Sequence, residues 1–290
     1  MNMKKYNLWG VIFSLVFPMS VQANENAAIN VKNFLLTGIN KVQQCSEEQA
    51  AITSTADRLN AAKFPMKGKF VIVNIPGGFL TAYENAEPVL EMKIIVGKEE
   101  HQTPQFDTEI TTVRLNPTWT VPSSIIKDDN WFKKLKEDKE FFLRNRFEFR
   151  DKDNLLLSLD EASENPNLVH RFIQSPGPMN ALGKFRFNIK SVDSVYLHDT
   201  RDPENFYDGS PITLSHGCVR LEKPKEFAMW LLDWTEEKMD SYLYDGSTLD
   251  FKLKNEVPIS LGYYTAWPNS ENEIFIYEDV YKLDKNICKR

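Results

Sequence analysis

Ser215-His216-Gly217-Cys218-Val219-Arg220 is the stretch from which the fold and chemistry of this sequence are best worked out. A thiol becomes a nucleophile when an imidazole within hydrogen-bond reach takes its proton. A glycine beside the nucleophile permits a tight turn and leaves backbone N–H groups free for an oxyanion. An arginine two residues later can hold a carboxylate through two parallel hydrogen bonds. The stretch therefore predicts an acyl-transfer site for a substrate that carries a carboxylate.

A second histidine, His198, ends the strand-like stretch 194–197 and is separated from Ser215 by residues 199–214. A cysteine in a globular chain is more often a small buried hydrophobe than a nucleophile, and His-Gly-Cys can also supply two zinc ligands. The polar residues around Cys218 are unlike those of a core segment. His198 could sit at a strand end facing a cleft, which makes it a candidate to take the proton of the Cys218 thiol.

The run from His198 to Arg220 resembles the signature of the L,D-transpeptidases of YkuD type, the cysteine enzymes of bacterial cell-wall synthesis. That signature is a histidine, a spacer, Ser/Thr-His-Gly-Cys, one further residue, and Arg or Asn. The resemblance covers roughly residues 55–284 and is strongest to a subgroup with a large lid inserted in the catalytic domain. The supporting stretches are Val73-Asn74-Ile75-Pro76, Ile95-Val96-Gly97-Lys98, Thr103-Pro104-Gln105-Phe106, Asn116-Pro117-Thr118-Trp119-Thr120-Val121-Pro122, Pro176-Gly177-Pro178-Met179-Asn180-Ala181-Leu182-Gly183 and Tyr264-Thr265-Ala266-Trp267.

The resemblance implies a mainly β fold with peripheral helices (α+β), a mixed or antiparallel β-sandwich with an inserted helical lid. It implies a cysteine-dependent acyltransferase in which Cys218 forms a thioester with a peptidoglycan stem peptide and releases the terminal D-amino acid. An amine of a neighbouring stem would then form a cross-link, whereas water would make the enzyme an L,D-carboxypeptidase. A different acceptor or linkage stays open. No metal or cofactor is needed, and sensitivity to carbapenems is expected.

The resemblance also implies roles for the residues around the nucleophile. The backbone carbonyl of Asp199 orients His198, while its side chain is the weaker candidate because adjacent strand side chains point to opposite faces. Backbone N–H groups around His216, Gly217 and Cys218 hold the oxyanion, and His216 shapes the site. Arg220 either steadies the loop or binds a substrate carboxylate. The remaining site candidates are Ser215 in the loop and, as groove-lining residues for which core packing is the alternative, Tyr196, Asn180 and Trp267.

Composition bounds the class of protein. Of the 290 residues, 42% are hydrophobic and 26% are charged, as in globular domains, and the net charge of −6 gives no electrostatic reason to expect nucleic acid as a partner. We divide the chain into a signal peptide (1–23), a helical segment (24–66), a catalytic domain (67–284) that contains the inserted lid (123–168), and a tail (285–290).

The N-terminus predicts export. Lys4 and Lys5 precede an apolar run over residues 8–17, and Val21-Gln22-Ala23 offers small residues for cleavage after Ala23. A membrane anchor is the alternative, but the run is short of the ~20 residues that a span needs. No later segment is apolar enough to cross a bilayer. We expect the mature protein to act in the periplasm on peptidoglycan stem peptides.

Export would place the three cysteines of the chain in an oxidising compartment. A nucleophilic Cys218 has to stay a free thiol. Cys45 and Cys288 either form a disulfide or stay independent thiols, and both outcomes remain open because sequence does not supply the geometry of a bridge.

The order of elements favours a sheet built without interleaved helices. Strand patterns at 70–75 and 79–83 form a hairpin, and others follow at 89–96 and 111–115, so we expect antiparallel pairing rather than βαβ units. Charged residues and aromatic residues at helical spacing fill 123–168, which is either a lid over a groove or a surface excursion. Later strands are expected at 169–174, 185–189, 195–198, 257–267 and 273–277, with a loop at 199–214 and a helix at 223–234.

Two other functions compete with acyl transfer. A zinc hydrolase could use His198, His216 and Cys218, although a further ligand in ordinary spacing is missing from the sequence. A non-catalytic wall-binding protein could keep the fold, but the presence of both His198 and Cys218 speaks against it.

Overall fold

The computed structural model describes residues 27–190, 195–207, 212–244, 246–269 and 273–284. Close contacts group the described residues into two compact units. The first draws on 1–91, 105–107 and 258–290, and the second on 92–104 and 108–257. The predicted signal peptide, the tail and Cys288 lie outside the described residues, so export and the Cys45–Cys288 bridge stay predictions.

Eight α-helices occur among the described residues, and local signals account for several of their ends. Ser46 caps the N-terminus of the second helix, because its side chain accepts a hydrogen bond from the Gln49 N–H. No helix in the described part of the chain is both long and apolar enough to cross a membrane. The helices are α1 (Ala27–Gly38), α2 (Glu47–Leu59), α3 (Ser123–Asp128), α4 (Trp131–Glu137), α5 (Lys139–Arg144), α6 (Leu159–Glu164), α7 (Pro224–Leu232) and α8 (Glu236–Leu243).

The described residues also form fifteen strands, most of them short. The predicted hairpin is confirmed, and the strand predicted from 257 begins earlier in the structure. The strands are β1 (Lys69–Asn74), β2 (Phe79–Glu84), β3 (Glu87–Gly97), β4 (Phe106–Leu115), β5 (Trp119–Thr120), β6 (Phe147–Arg150), β7 (Leu156–Leu157), β8 (Arg171–Gln174), β9 (Phe185–Ile189), β10 (Tyr196–His198), β11 (Thr213–Ser215), β12 (Val219–Leu221), β13 (Leu249–Gly262), β14 (Ala266–Pro268) and β15 (Ile274–Ile276).

In the first unit, β1 pairs antiparallel with β2 and parallel with residues 259–262 of β13. Helices α1 and α2 cover an apolar core that also contains aromatic residues of the C-terminal segment. Phe64 lies at its centre, with ring centroids 6.2 Å from Tyr264 and 6.4 Å from Trp267. The two helices are therefore fastened by hydrophobic burial.

In the second unit, the strand order is β11-β3-β12-β10-β9-β4-β13. The pairs β10–β12 and β11–β3 are parallel, whereas β10–β9, β4–β9 and β12–β3 are antiparallel. The sheet is mixed and not antiparallel throughout, because β12 runs beside β10, and β11 beside β3, in the same direction. The α+β class with a mixed sheet is confirmed.

The two faces of strand β9 differ, because one packs in the core and the other carries polar side chains. Its residues alternate, and Phe185, Phe187 and Ile189 are buried. Helix α7 packs on this face, with the ring centroid of Phe227 4.9 Å from that of Phe187. The opposite face of β9 is thereby left for Arg186 and Asn188.

The predicted insert, residues 123–168, contains α3 to α6 with β6 and β7, so it is not purely helical. Strands β5 and β8 join β6 and β7 in a second sheet of order β5-β8-β6-β7. The insert has its own aromatic core around Trp131, whose ring meets several others edge-on. That it covers a groove stays a prediction. The buried core residues are Val121, Ile126, Trp131, Leu135, Phe142, Phe149, Ala162, Val169 and Phe172.

Candidate active site

Parallel pairing of β10 with β12 brings the predicted base and nucleophile to neighbouring strands. Leu197 lies opposite Val219, and His198 lies opposite Arg220. Because side chains alternate along each strand, His198 and Arg220 share one face of the sheet, and Cys218, two residues before Arg220, points to that face as well. Tertiary pairing thus places the imidazole and the thiol on the face opposite α7.

His198 is held as a neutral base. Its Nδ1 lies 2.5 Å from the backbone oxygen of Asp199, to which it donates, so Nε2 is left as the acceptor. Burial, reinforced by the positive charges of Arg220 and Arg186, lowers the pKa of His198 to about 4. The imidazole is therefore uncharged near neutral pH and able to accept a proton.

Cys218 is half-buried and is a free thiol. Burial raises its pKa, against which the Tyr196 N–H, Arg220 and Arg186 act by favouring the thiolate. With the pKa of the thiol raised and that of His198 lowered, the resting pair is a neutral thiol and a neutral imidazole. These shifts disfavour a preformed pair of thiolate and imidazolium.

Ser215 closes the nucleophile loop on itself. Its Oγ donates to the Cys218 carbonyl at 2.5 Å and accepts from the Gly217 N–H at 3.1 Å. Gly217 has φ +107°, a conformation that suits glycine. The Gly217 N–H is therefore already bonded and not free for an oxyanion, which corrects our expectation and leaves the Cys218 N–H as the better candidate.

Residues 97–103, at the end of β3 and after it, hold the nucleophile loop 215–218 through hydrogen bonds. Thr103 Oγ1 donates to the Gly217 carbonyl and accepts from the Gly97 N–H, both at 2.9 Å. The Lys98 N–H donates to the Ser215 carbonyl at 3.0 Å. A Cβ on Gly97 would lie 1.9 Å from the His101 carbonyl oxygen, so only glycine fits there. Close backbone packing thus fixes where Cys218 can stand.

The Asp199 side chain faces away from this chemistry. Its two oxygens accept hydrogen bonds from the backbone N–H groups of Lys184 and Thr200, each at 2.7 Å. Burial raises the pKa of its carboxyl. Gly183 (φ +61°) packs so closely that an added Cβ would lie 2.3 Å from the Asp199 Oδ2 atom. The carboxylate organises the turn, and the carbonyl contacts His198.

Arg186 is a residue of the site that we did not predict. It lies opposite His198 across β9 and β10, and its guanidinium carbon sits 4.6 Å from the centre of the Tyr196 ring. Its Nε donates to Asn188 Oδ1 at 2.9 Å. The signal was present in Phe185-Arg186-Phe187-Asn188-Ile189, where alternation puts a cation on the face opposite the buried rings.

Arg220 lies beside both reacting groups. Burial lowers its pKa, and its Nε is buried without a hydrogen-bond partner among the described residues. Tyr196 is half-buried and occupies the same face as Arg186 and His198. Together the two guanidinium groups and the phenol make this face cationic and partly aromatic, which suits a carboxylate-bearing peptide.

Asn180 and Trp267 do not take the places that we predicted. Asn180 is 1% exposed and its amide is fully used, so it braces a turn and does not line a groove. Trp267 is 3% exposed and packs in the core of the first unit. The Asn180 amide donates to the carbonyls of Pro117, Ser175 and Gln174, and its oxygen accepts from the Leu182 N–H.

The described residues contain one group of at least three potential metal ligands whose atoms all lie within 4.8 Å of one another. Its members are His101, Asp128 and His216, and neither His198 nor Cys218 belongs to it. The zinc hydrolase that would use His198, His216 and Cys218 therefore gains no support from this geometry.

Comparison with known families matches residues 68–259 to the model of the L,D-transpeptidase catalytic domain, YkuD. A curated protein of Haemophilus influenzae, named "Putative L,D-transpeptidase", is 31% identical over 223 residues. The alignment covers 75% of this chain and 45% of that protein, so the chain spans less than half the length of this relative.

Solved structures give more distant matches. An L,D-transpeptidase from Mycobacterium smegmatis is 13% identical, with 67% of this chain and 58% of that chain covered and a TM-score of 0.32. The catalytic domain of the E. faecium L,D-transpeptidase, acylated by ertapenem, is 12% identical, with 69% and 100% covered and a TM-score of 0.32. Neither alignment is close enough to support an inference about this chain.

Proposed function

This chain belongs to the family of YkuD-type L,D-transpeptidase catalytic domains, and from that premise we propose that it cross-links peptidoglycan by acyl transfer through Cys218. The observation that carries the proposal is the shared sheet face of Cys218 and His198, with the Asp199 carbonyl 2.5 Å from His198 Nδ1. This is the nucleophile, base and orienting group that covalent catalysis requires.

The first half-reaction forms a thioester. The Cys218 sulfur attacks the carbonyl carbon between the L-centre and the terminal D-residue of a stem peptide, and His198 Nε2 takes the thiol proton. The C–N bond then breaks, the proton passes from His198 to the leaving amine, and the D-amino acid departs. The Cys218 N–H is placed to stabilise the oxyanion.

The arginines account for the choice of substrate. A stem peptide that ends in a D-residue carries a terminal carboxylate close to the bond that breaks. Arg186 and Arg220 lie near enough to Cys218 for their charges to act on the thiol. Both arginines lie opposite His198 on neighbouring strands, and we assign Arg186 to the carboxylate because Arg220 is the more buried of the two.

The second half-reaction consumes the thioester. An amine of a neighbouring stem attacks the acyl carbon, and His198 accepts the amine proton. The C–S bond then breaks and the proton passes from His198 to the Cys218 sulfur, which regenerates the thiol and leaves a cross-link. Water in place of the amine gives a carboxypeptidase. We place this chemistry in the periplasm after removal of residues 1–23, with residues 123–168 acting as a lid.

The test is mass spectrometry of muropeptides. Purified protein and its Cys218→Ala variant are each incubated with disaccharide-tetrapeptide. A dimer that lacks one terminal D-residue, absent with the variant, supports transpeptidation, and its fragmentation locates the linkage. Trimmed monomer alone supports the carboxypeptidase. The same products from both proteins would refute a cysteine mechanism, and no products from either would refute this donor and favour a wall-binding role.

A further inference from the structure

A cluster of two histidines and one aspartate lies beside the nucleophile loop and takes no part in the chemistry proposed above. His101 ends the short turn Glu99–His101, Asp128 ends α3, and His216 lies in the loop two residues before Cys218. One potential ligand atom from each residue lies within 4.8 Å of the other two. We propose that these three side chains bind one Zn²⁺ ion.

The distances suit a shared ion. The His101 Nε2 atom lies 2.9 Å from Asp128 Oδ2, so these two ligands already face each other. Two imidazoles that share one Zn²⁺ through nitrogens about 2.0–2.1 Å from the metal have ring centres roughly 5 Å apart. The ring centroids of His101 and His216 are 5.0 Å apart. Small side-chain movements would therefore complete the coordination.

His216 provides an independent reason to expect a ligand. Its Nε2 atom is buried and has no hydrogen-bond partner among the described residues. Buried polar atoms are normally satisfied, and an exception calls for an explanation such as a bound ion. A metal ion binds to an imidazole nitrogen that carries no proton. Coordination by zinc would satisfy an atom that the protein leaves unsatisfied.

The ligand types favour zinc over other abundant divalent ions. Two imidazoles and one carboxylate fill three positions of a tetrahedral zinc site and leave the fourth to water. Calcium and magnesium prefer sites made of oxygen ligands. At 29% and 36% side-chain exposure, His101 and Asp128 are open enough for an ion to enter.

Such an ion would fasten three separate segments together. It would join the turn after β3, the insert through α3, and the nucleophile loop through His216. The position of the insert would then be coupled to the loop that carries Cys218. This consequence for catalysis rests on the proposed function, whereas binding of the ion does not.

Calorimetric titration with ZnCl₂ tests the site. Cys218→Ala is used as the background so that the thiol cannot bind zinc. We expect one ion per chain, and we expect His101→Gln and Asp128→Asn each to weaken affinity at least about tenfold, because loss of supporting partners alone costs about 10–100-fold. The matched control is His170→Gln, since His170 is exposed and lies outside the cluster. Absence of binding, or affinity unchanged by both ligand variants, would overturn the proposal.

A second measurement, made on the Cys218→Ala protein itself, still tests the coordination if a ligand variant fails to fold. Titration with CoCl₂ should give the intense visible absorption of four-coordinate cobalt in the Cys218→Ala background and in His170→Gln, and lose it in His101→Gln. A weak, six-coordinate spectrum would refute a tetrahedral site. Neither readout depends on turnover. Zinc binding without muropeptide products would support this site and refute the proposed function. Muropeptide products without zinc binding would support the proposed function and refute this site.

Discussion

Two turns of the second unit both contain glycine and differ in what they do. Segment 176–183 has one polar side chain, Asn180, whereas the loop 215–218 contains Ser215, His216 and Cys218 around its glycine. In the first, Asn180 is 1% exposed, and its amide donates to three carbonyls while accepting one N–H. Every bond that this side chain can make locally is used to hold a turn.

Around the nucleophile loop, buried polar atoms are left open. His216 Nε2 and Arg220 Nε have no hydrogen-bond partner among the described residues. Such groups cost stability, and native proteins keep few of them. We interpret the first segment as structural and propose that the two unpaired atoms meet ligands, which leads us to expect opposite responses to mutation.

The largest effect is expected for Cys218→Ala. Loss of the nucleophile should lower transpeptidation by at least about 10³-fold, which is about 4 kcal/mol of activation free energy. Stability should change by less than about 1 kcal/mol, because the side chain is small and half-buried. Muropeptide assays and urea unfolding measure the two quantities. An active, well-folded variant would show that the loop is not the reacting segment.

Asn180→Ala should behave in the opposite way. Three carbonyls and one N–H lose their partner inside the protein, so we expect a loss of about 3 kcal/mol in the free energy of unfolding. Activity per folded molecule should be retained. Asn167→Ala, on an exposed residue, is the control and should change stability by less than about 0.5 kcal/mol. Activity lost with stability retained would return Asn180 to the groove.

The pH dependence of stability tests the environment of His198. Burial lowers the pKa of His198 from 6.5 to about 4, so between these pH values the imidazole is protonated in the unfolded chain and neutral in the folded protein. This contribution to stability is present above pH 6.5 and is lost as the pH falls toward 4, amounting to about 2 kcal/mol between pH 7 and pH 5. Urea unfolding at both pH values should show this extra loss relative to His198→Asn. Equal losses in both proteins would place His198 in water.

The smallest effect is expected for Arg186→Gln. Removing a charge that contacts the substrate carboxylate should lower kcat/KM about tenfold, or about 1.4 kcal/mol. Because Arg186 lowers the pKa of His198, the same change should raise that pKa, which NMR titration of the imidazole can follow. Arg144→Gln, in an exposed part of the insert, is the control. If both variants keep full kcat/KM, the carboxylate binds elsewhere.

Sequence reasoning reached the family through residue types at fixed spacing and the α+β class through that resemblance, and it predicted His198 and Cys218 as the catalytic pair. It assigned the Asp199 carbonyl from the family resemblance, with strand alternation as the argument against the side chain, and the structure has the carbonyl at His198 Nδ1. It missed Arg186, since the partner of a strand residue depends on which strand lies beside it. It also named Asn180 as a groove-lining candidate, because the sequence does not show whether this amide faces a groove or hydrogen-bonds to backbone carbonyls.

By itself, the sequence determined the local chemistry: a glycine where φ is positive, a cap at Ser46, an alternating β9, and a thiol beside an imidazole in a turn. Only the tertiary structure decided which of these groups meet. The parallel register of β10 and β12 put His198 and Cys218 on one face, and packing of 97–103 against Gly217 set the loop. The physical reason is that hydrogen-bond satisfaction and burial depend on neighbours far apart in the chain. His101, Asp128 and His216 could therefore be recognised as a cluster only after folding.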